Sequence, residues 1–327
     1  MNKKKTILLT SYYESVPLNI LRKAIGPSFN LISFRYNNDT ELVDNVIEDV
    51  DYILASGRFR IDKELLSKAK KLKMVQRTGV GLDSIDLDAL KEKRIPLYVN
   101  AGVNSESVAE LALLFILSGL RKLTIINNNL KKGVWNKQGQ GIQTSELCGK
   151  RVGLVGMGNI AKKVASMLIP FDTDVYYFDV CKLSDDEESK LNVSYLGLEE
   201  LFRTCDIISL HCPLNESTKH IINDESIRLM KNGVVLINTA RGGLIKTEDL
   251  IKSLRSNKFS FVCLDVYENE PIKESELLGF ENVITTPHIG GITLESFGRM
   301  MEDAIRNIKA YDEGNMKEIE KYRYEHK

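Results

Sequence analysis

The stretch that most constrains this chain is Val152-Gly-Leu-Val-Gly156-Met-Gly158-Asn159-Ile160-Ala161. It reads as a short apolar strand, a glycine turn and the opening of a helix. Gly156-x-Gly158-x-x-Ala161 has the spacing of the dinucleotide fingerprint, with alanine in the third glycine position. Gly156 permits the tight turn and Gly158 lets the backbone approach a pyrophosphate. A small residue at Ala161 lets helix and strand pack closely. The helix N-terminus then offers unpaired N–H groups and a partial positive charge to the phosphates. Ile160, Val164 and Leu168 recur at helical spacing until Pro170 stops the run. The next strand, Asp174-Val-Tyr-Tyr-Phe-Asp179, ends in an acid about 20 residues past the glycines, where a carboxylate can bind a ribose 2′-hydroxyl. Asp179 favours NAD over NADP, because it repels a 2′-phosphate and Val180-Cys181 supplies no arginine; Lys182 is the one nearby cation.

A chain of 327 residues predicts two domains. Its 45 basic and 45 acidic residues cancel, so it shows no electrostatic footprint for nucleic acid or an anionic membrane. Lys3-Lys4-Lys5 reads as a solvated start rather than a targeting signal, and Leu111–Leu117 is far too short an apolar run to span a bilayer. The five cysteines are scattered, without a C-x-x-C pair, which argues against a disulfide framework or a zinc site and for a reducing, cytoplasmic setting. No metal is expected.

Residues 5–100 alternate strand-like and helix-like segments, the pattern of a parallel sheet with crossover helices. Strands are predicted at 6–10, 31–34, 51–55, 72–76 and 96–100. Helices are predicted over 17–25, from a cap at Asp39 or Thr40 through Val50, and from Asp62 through Lys71. No complete glycine fingerprint follows the first strand, so this half is Rossmann-like without an evident nucleotide. Asn104–Leu120 is a long apolar helix, suited to burial between domains or subunits. Lys131–Leu147, with the only tryptophan, Trp135, reads as an irregular excursion. The second half resumes the alternation, with strands at 207–210, 233–238, 261–265 and 283–286, helices at 226–230 and 247–255, and a final amphipathic helix over 294–311. His211, Arg241, Glu268, Glu270 and His288 fall just past strand ends. In open α/β sheets that is where ligands bind.

Several motifs together carry a family resemblance: Arg77-x-Gly79-x-Gly81-x-Asp83, Asn104 with Val108-Ala-Glu110, Leu147-x-Gly149-Lys150, the fingerprint, His211-x-Pro213-Leu214, Asn238-Thr-Ala-Arg241-Gly-Gly243, Asp265-Val-Tyr-x-x-Glu270-Pro271 and Pro287-His288-x-Gly290-Gly291. Across nearly its whole length the chain resembles the D-isomer-specific 2-hydroxyacid dehydrogenases, the family of phosphoglycerate dehydrogenase and glyoxylate/hydroxypyruvate reductase. The resemblance implies two Rossmann-like α/β domains with parallel sheets. An NAD-binding domain at 103–291 would be inserted into a discontinuous substrate-binding domain, 1–102 and 292–327. It implies an NAD-dependent oxidoreductase that interconverts a D-2-hydroxy acid and its 2-oxo acid, as a homodimer. Arg241, Glu270 and His288 would be the catalytic residues. Gly156, Gly158, Asn159, Ile160, Asp179, His211, Pro213, Thr239, Ala240, Asp265 and Gly290 would join Arg241 and His288 around the cofactor, with Asp265 on the nicotinamide carboxamide. The backbone at Val80 and Gly81, again with Arg241 and His288, would meet the substrate.

Elementary chemistry agrees. A 2-oxo acid places a carboxylate beside a carbonyl, which the planar donor fork of arginine matches. Reduction puts a hydride on carbon and a proton on oxygen. A histidine can deliver that proton near neutral pH, and a carboxylate beside it orients the ring and favours its charged form. The nicotinamide carries the hydride, so no metal is needed. Arg58 and Arg60, past the third strand, read either as partners for a substrate phosphate or as solvated loop residues. His211 reads as a pocket-shaping residue, His220 and His326 as surface residues, and Trp135 as packing or a dimer contact. An NAD(H)-sensing binding protein of the corepressor type is the alternative from another class.

Overall fold

The computed structural model describes residues 4–325, so Lys3 and His326 lie outside the described residues. The chain forms two compact units. One comprises the residues up to Asn104 together with those from Ile292 onward; the other is Ser105–Gly291.

In the first unit, β1 (Thr6–Tyr12), β2 (Asn30–Phe34), β3 (Tyr52–Ala55), β4 (Met74–Arg77) and β5 (Leu97–Val99) pair in parallel in the order β2-β1-β3-β4-β5. The crossover helices are α1 (Ser15–Ile25), α2 (Thr40–Val46), α3 (Lys63–Lys68) and α4 (Leu87–Glu92). Asp39 and Asp62 cap α2 and α3 by accepting from the N–H groups of Leu42 (3.1 Å) and Leu65 (3.0 Å). Both helices stop earlier than the sequence pattern predicts, α2 passing into a short 3₁₀ turn at Ile47–Asp49. Sequence reasoning places no helix between Gly81 and Pro96; α4 forms there because Asp86 accepts from the Ala89 N–H at 2.9 Å and Leu90 is buried.

The second unit opens with α5 (Ser105–Leu120), α6 (Leu123–Lys131) and α7 (Lys137–Gly141). It continues as β6 (Arg151–Val155), α8 (Asn159–Leu168), β7 (Asp174–Phe178), α9 (Asp185–Leu191), β8 (Val193–Tyr195), α10 (Leu198–Thr204), β9 (Ile207–Leu210), α11 (Asp224–Leu229), β10 (Val234–Asn238), α12 (Thr247–Arg255), β11 (Phe259–Leu264) and β12 (Val283–Thr285). All seven strands are parallel, ordered β12-β11-β10-β9-β6-β7-β8. The order reverses between β6 and β9, so the loops leaving those two strands diverge and leave a crevice at their carboxyl ends. The long apolar helix α5 packs on the sheet of its own unit. A Cβ on Gly119 would stand 3.2 Å from Val235 Cγ1 and 3.3 Å from Phe261 Cβ, so the absence of a side chain there lets helix and sheet approach. The stretch expected to be irregular contains α7, capped by the Asn136 side chain.

The chain then returns to the first unit as α13 (Leu294–Glu313) and α14 (Met316–Ile319). One face of α13 buries Phe297, Met300, Met301, Ala304, Ile305 and Ile308 among Ile7, Leu9, Leu54, Met74 and Tyr98. Each large side chain so buried contributes about 1.5–3 kcal/mol. Asn100 links the sheet to α13 inside this packing: it accepts from Gln76 Nε2 at 3.0 Å and donates to the Met300 carbonyl at 2.9 Å. No described helix is long and apolar enough to cross a membrane.

Candidate active site

The second unit gathers its polar residues at the carboxyl ends of the strands. Gly156 follows β6 with φ 95°, in the left-handed region, and an added Cβ would lie 2.6 Å from the Cys212 backbone nitrogen. Only glycine fits there. The turn thus lies directly against the loop leaving β9, on the crevice side. At Gly158 an added Cβ would meet nothing within 4 Å, so the N-terminus of α8 opens onto free space. Ala161, one turn in, is fully buried in the sheet–helix core. Asp179, just past β7, accepts from the Met157 N–H at 2.7 Å and the Cys181 N–H at 2.9 Å. It therefore ties the glycine turn to its own loop. Lys182 lies 3.8 Å from Glu188 and over the Tyr195 ring, engaged away from Asp179. These residues fit a dinucleotide whose ribose carries hydroxyls rather than a phosphate.

His211 leaves β9 with its Nε2 2.9 Å from the Ser209 hydroxyl. Burial of the ring pushes its pKa down to about 4, so it is neutral at physiological pH. It is poorly suited to carry a proton and well suited to line a pocket. Pro213 follows in the same loop, and Thr239 and Ala240 follow β10.

Asn238, the last residue of β10, accepts from the Ala240 N–H at 3.0 Å and donates to the Arg241 carbonyl at 2.8 Å, closing a tight turn. The Arg241 guanidinium donates to the Ala240 carbonyl at 2.7 Å. Past β11, Asp265 is only 1% exposed. Its carboxylate accepts from the Thr286 hydroxyl (2.6 Å), the Ile289 N–H (2.8 Å) and the Gly290 N–H (2.8 Å). The family resemblance assigns Asp265 to the nicotinamide carboxamide; in the structure its carboxylate holds the turn that carries His288. His288 adopts φ 56° within that turn. Its Nδ1 lies 2.9 Å from Glu270 Oε2, and the other Glu270 oxygen accepts from the Tyr267 N–H at 2.8 Å. The Glu270 side chain is 8% exposed and that of His288 42%, so the carboxylate is sunk beneath an imidazole that faces outward.

Arg241, Glu270 and His288 thus share one end of one sheet, with the glycine turn and His211 at the same strand ends. Val80 and Gly81 lie in the first unit, in the loop after β4, with Val80 exposed. Arg58 and Arg60 are exposed in the loop after β3. Residues 113–290 match the model of the D-isomer specific 2-hydroxyacid dehydrogenase NAD-binding domain. The chain belongs to the D-isomer-specific 2-hydroxyacid dehydrogenases. It is 39% identical to a hydroxypyruvate reductase of Thermotoga maritima over 80% of this chain and 85% of that one. It is 36% identical to a glyoxylate reductase of Thermofilum pendens over 84% and 82% of the two chains. A solved structure of Aquifex aeolicus D-lactate dehydrogenase, complexed with NAD and lactic acid, superposes with a TM-score of 0.88 at 31% identity, over 98% of each chain. This dehydrogenase is an NAD-dependent oxidoreductase of D-2-hydroxy acids. The corepressor-type alternative draws no support from these relatives.

Two supports of the site escape sequence reasoning. Tyr267 donates its hydroxyl to the Thr286 carbonyl at 2.8 Å, tying the loop after β11 to the end of β12. Gly242 is the second: a Cβ there would stand 1.8 Å from the Tyr267 carbonyl carbon and 2.4 Å from the Glu268 nitrogen. The Arg-Gly-Gly run was the available signal, since paired glycines just past a strand end can mark close backbone approach. No rotation relieves a clash with backbone, so Gly242→Ala must push the Arg241 loop and the Glu270 loop apart. The variant is expected to lose roughly 100-fold or more in kcat/KM for 2-oxo acid reduction. NADH binding, followed by fluorescence quenching, should change much less, because the glycine turn after β6 is untouched.

Proposed function

We propose that the chain reduces a short 2-oxo acid with NADH, and that hydroxypyruvate and glyoxylate are its preferred substrates. The observation that carries the reading is the buried Glu270 carboxylate 2.9 Å from the outward-facing His288, at the strand ends that also present Arg241. The similarity to a hydroxypyruvate reductase and a glyoxylate reductase supports the choice of acids. The first unit is assigned to substrate binding, with the backbone at Val80 and Gly81 as its contact, and the second to NAD. Gly156, Gly158, Asn159 and Ile160 cradle the pyrophosphate, and Asp179 takes the ribose hydroxyls. His211, Pro213, Thr239, Ala240, Asp265 and Gly290 line the rest of the cofactor site.

Arg241 holds the substrate carboxylate and its carbonyl oxygen with one planar fork. An ionised Glu270 can only accept, so His288 donates Nδ1–H to it. Nε2 is then the nitrogen that delivers a proton to the carbonyl oxygen. The bound nicotinamide supplies the hydride. Reduction needs His288 charged, and oxidation of the hydroxy acid needs it neutral.

The enzyme is also proposed to be a cytoplasmic homodimer. All five cysteines are free thiols. Trp135 is 82% and Ile142 87% exposed, and Leu130 and Val134, in the same stretch of chain, are also exposed. Exposed large apolar side chains concentrated in one segment support an interaction face there. Analytical ultracentrifugation should give a dimer that Trp135→Asp with Ile142→Asp converts to monomer. A monomeric wild-type protein would remove this assignment.

The substrate reading is checked with NADH and a panel of hydroxypyruvate, glyoxylate, pyruvate and phosphohydroxypyruvate. The first two should give the highest kcat/KM; preference for the phosphorylated acid would instead point to Arg58 and Arg60. Arg241→Lys keeps the charge and loses the fork. It should cost roughly 2–4 kcal/mol in kcat/KM for every acid while NADH binding persists. Near wild-type turnover would mean that Arg241 is not the carboxylate clamp.

Glu270→Gln tests the proton donor. The amide keeps the shape of the carboxylate and removes the charge that stabilises the imidazolium. The rate of reduction falls as pH rises through the titration of His288, and the rate of oxidation rises. In Glu270→Gln both limbs should move to lower pH. A limb that stays or moves upward would show that Glu270 does not act on His288. His288→Ala should remove the limb and cost about 10²–10⁴-fold in rate.

A further inference from the structure

Sequence reasoning leaves His220 on the surface. In the structure its ring is half-buried, with Nε2 2.7 Å from Glu268 Oε1. The other Glu268 oxygen accepts from the Thr247 N–H at 2.8 Å, at the first turn of α12. Burial works against ionisation of Glu268, but the bonds from Thr247 and the His220 ring outweigh it and keep the carboxyl below its ordinary pKa. An anionic partner therefore faces the ring at neutral pH.

The His220 main chain engages a second loop. Its N–H donates to the Gly243 carbonyl at 2.9 Å, and the Ile222 N–H donates to the Leu244 carbonyl at 3.0 Å. Gly243 stands two residues past Arg241, and Glu268 two residues before Glu270. The Gly242 backbone packs closely on the Tyr267–Glu268 peptide. His220 therefore grips both loops that present the reacting side chains, one through its backbone and one through its ring. The sequence Glu268-x-Glu270 supplies two carboxylates, and each holds one histidine: Glu270 holds His288, and Glu268 holds His220.

We infer that His220 is a positioning residue for 2-oxo acid reduction: through Glu268 it fixes the Arg241 and Glu270 loops against each other and takes no part in proton transfer. The inference rests on the catalytic assignment of Arg241, Glu270 and His288. Without the ring, Glu268 keeps only its α12 contact and the loop before Glu270 can shift. Misplacement on the ångström scale at a reacting group costs up to about 100-fold.

The experiment compares His220→Ala, His220→Gln, Glu268→Gln and His220→Ala with Glu268→Gln in the full-length enzyme, with His288→Ala as control. His220→Ala is expected to lower kcat for hydroxypyruvate about 10- to 100-fold. The dissociation constant for NADH should hold within about twofold, because the glycine turn of the fingerprint is untouched. The Glu270–His288 limb of the pH profile should keep its position, since both of its charges remain. Glutamine can place an amide N–H where Nε2 lies, so His220→Gln should recover most of the rate. The double variant should be no worse than the poorer single one, because both changes break one contact. Wild-type kcat and KM in His220→Ala overturn the inference. So does a His220→Gln enzyme as impaired as His220→Ala, with parallel losses of thermal stability and NADH affinity, which would mark a general structural role. If His288→Ala keeps its turnover, the catalytic assignment itself fails and this inference with it; if His288→Ala is inactive and His220→Ala is normal, only the inference about His220 fails.

Discussion

The Asp265 carboxylate is the interaction on which the active end of the second unit depends. A buried carboxylate is costly unless its lone pairs are filled by good donors. Here the Thr286 hydroxyl and the N–H groups of Ile289 and Gly290 fill them, at 2.6–2.8 Å. Charge-assisted bonds of that length are the strong kind. They join the end of β11 to the segment just past β12. That segment carries His288, so the position of the imidazole is set by a group that need not touch the substrate. Gly290 shows how closely the turn is drawn in: a Cβ there would meet Asp265 Oδ2 at 2.9 Å and Leu111 on α5 at 3.1 Å. The helix that covers the sheet therefore also braces the turn that carries His288.

The remaining parts follow from the doubly wound order of the strands. Parallel strands release all their carboxyl-end loops on one edge, and the reversal between β6 and β9 leaves a crevice there. Arg241, Glu270 and His288 come from three neighbouring strand ends, so sequence separations of tens of residues become one site without any long-range turn. Close backbone approach also joins these loops. At Gly156 against Cys212 and at Gly242 against Tyr267, a single methyl group would clash with backbone and separate them.

Much of this was legible in the sequence. The strand–glycine–helix pattern at 152–168 corresponds to β6 and α8, and the acid at Asp179 falls at the end of β7, as the fingerprint requires. The motifs that signalled the family also marked the residues at the strand ends. What escaped notice has a common physical cause. α4, α9 and α10 are only six or seven residues long and bury two residues at most, which gives weak periodicity: α4 has a side-chain cap and two buried residues, α9 a capping box and none, α10 two buried residues and no side-chain cap. The pairing of His220 with Glu268 joins residues 48 positions apart, and neither sits in a hydrophobic pattern. The family motif singled out Asp265, but its bonds to Thr286, Ile289 and Gly290 exist only once β11 and β12 are neighbours. Local patterning reveals elements; the polar contacts between loops appear only when the topology is known.

The histidines at this edge divide into distinct electrostatic types, and the division suits the chemistry. His211 has its ring turned inward to a hydroxyl, and loss of solvent lowers its pKa to about 4. It stays neutral through the physiological range, so it adds no charge to the loop that lies against the glycine turn. His288 has the opposite environment: an outward-facing ring backed by a buried carboxylate. A carboxylate with little access to water attracts an imidazolium more strongly than an exposed one does, because less solvent screens it. Sinking Glu270 beneath an outward-facing His288 therefore strengthens the attraction while the ring stays open to solvent. In the proton-donor role proposed for His288, a fully buried ring would be cut off from solvent, and a fully exposed pair would be weakened by water. The Glu270 side chain at 8% exposure and that of His288 at 42% lie between those limits.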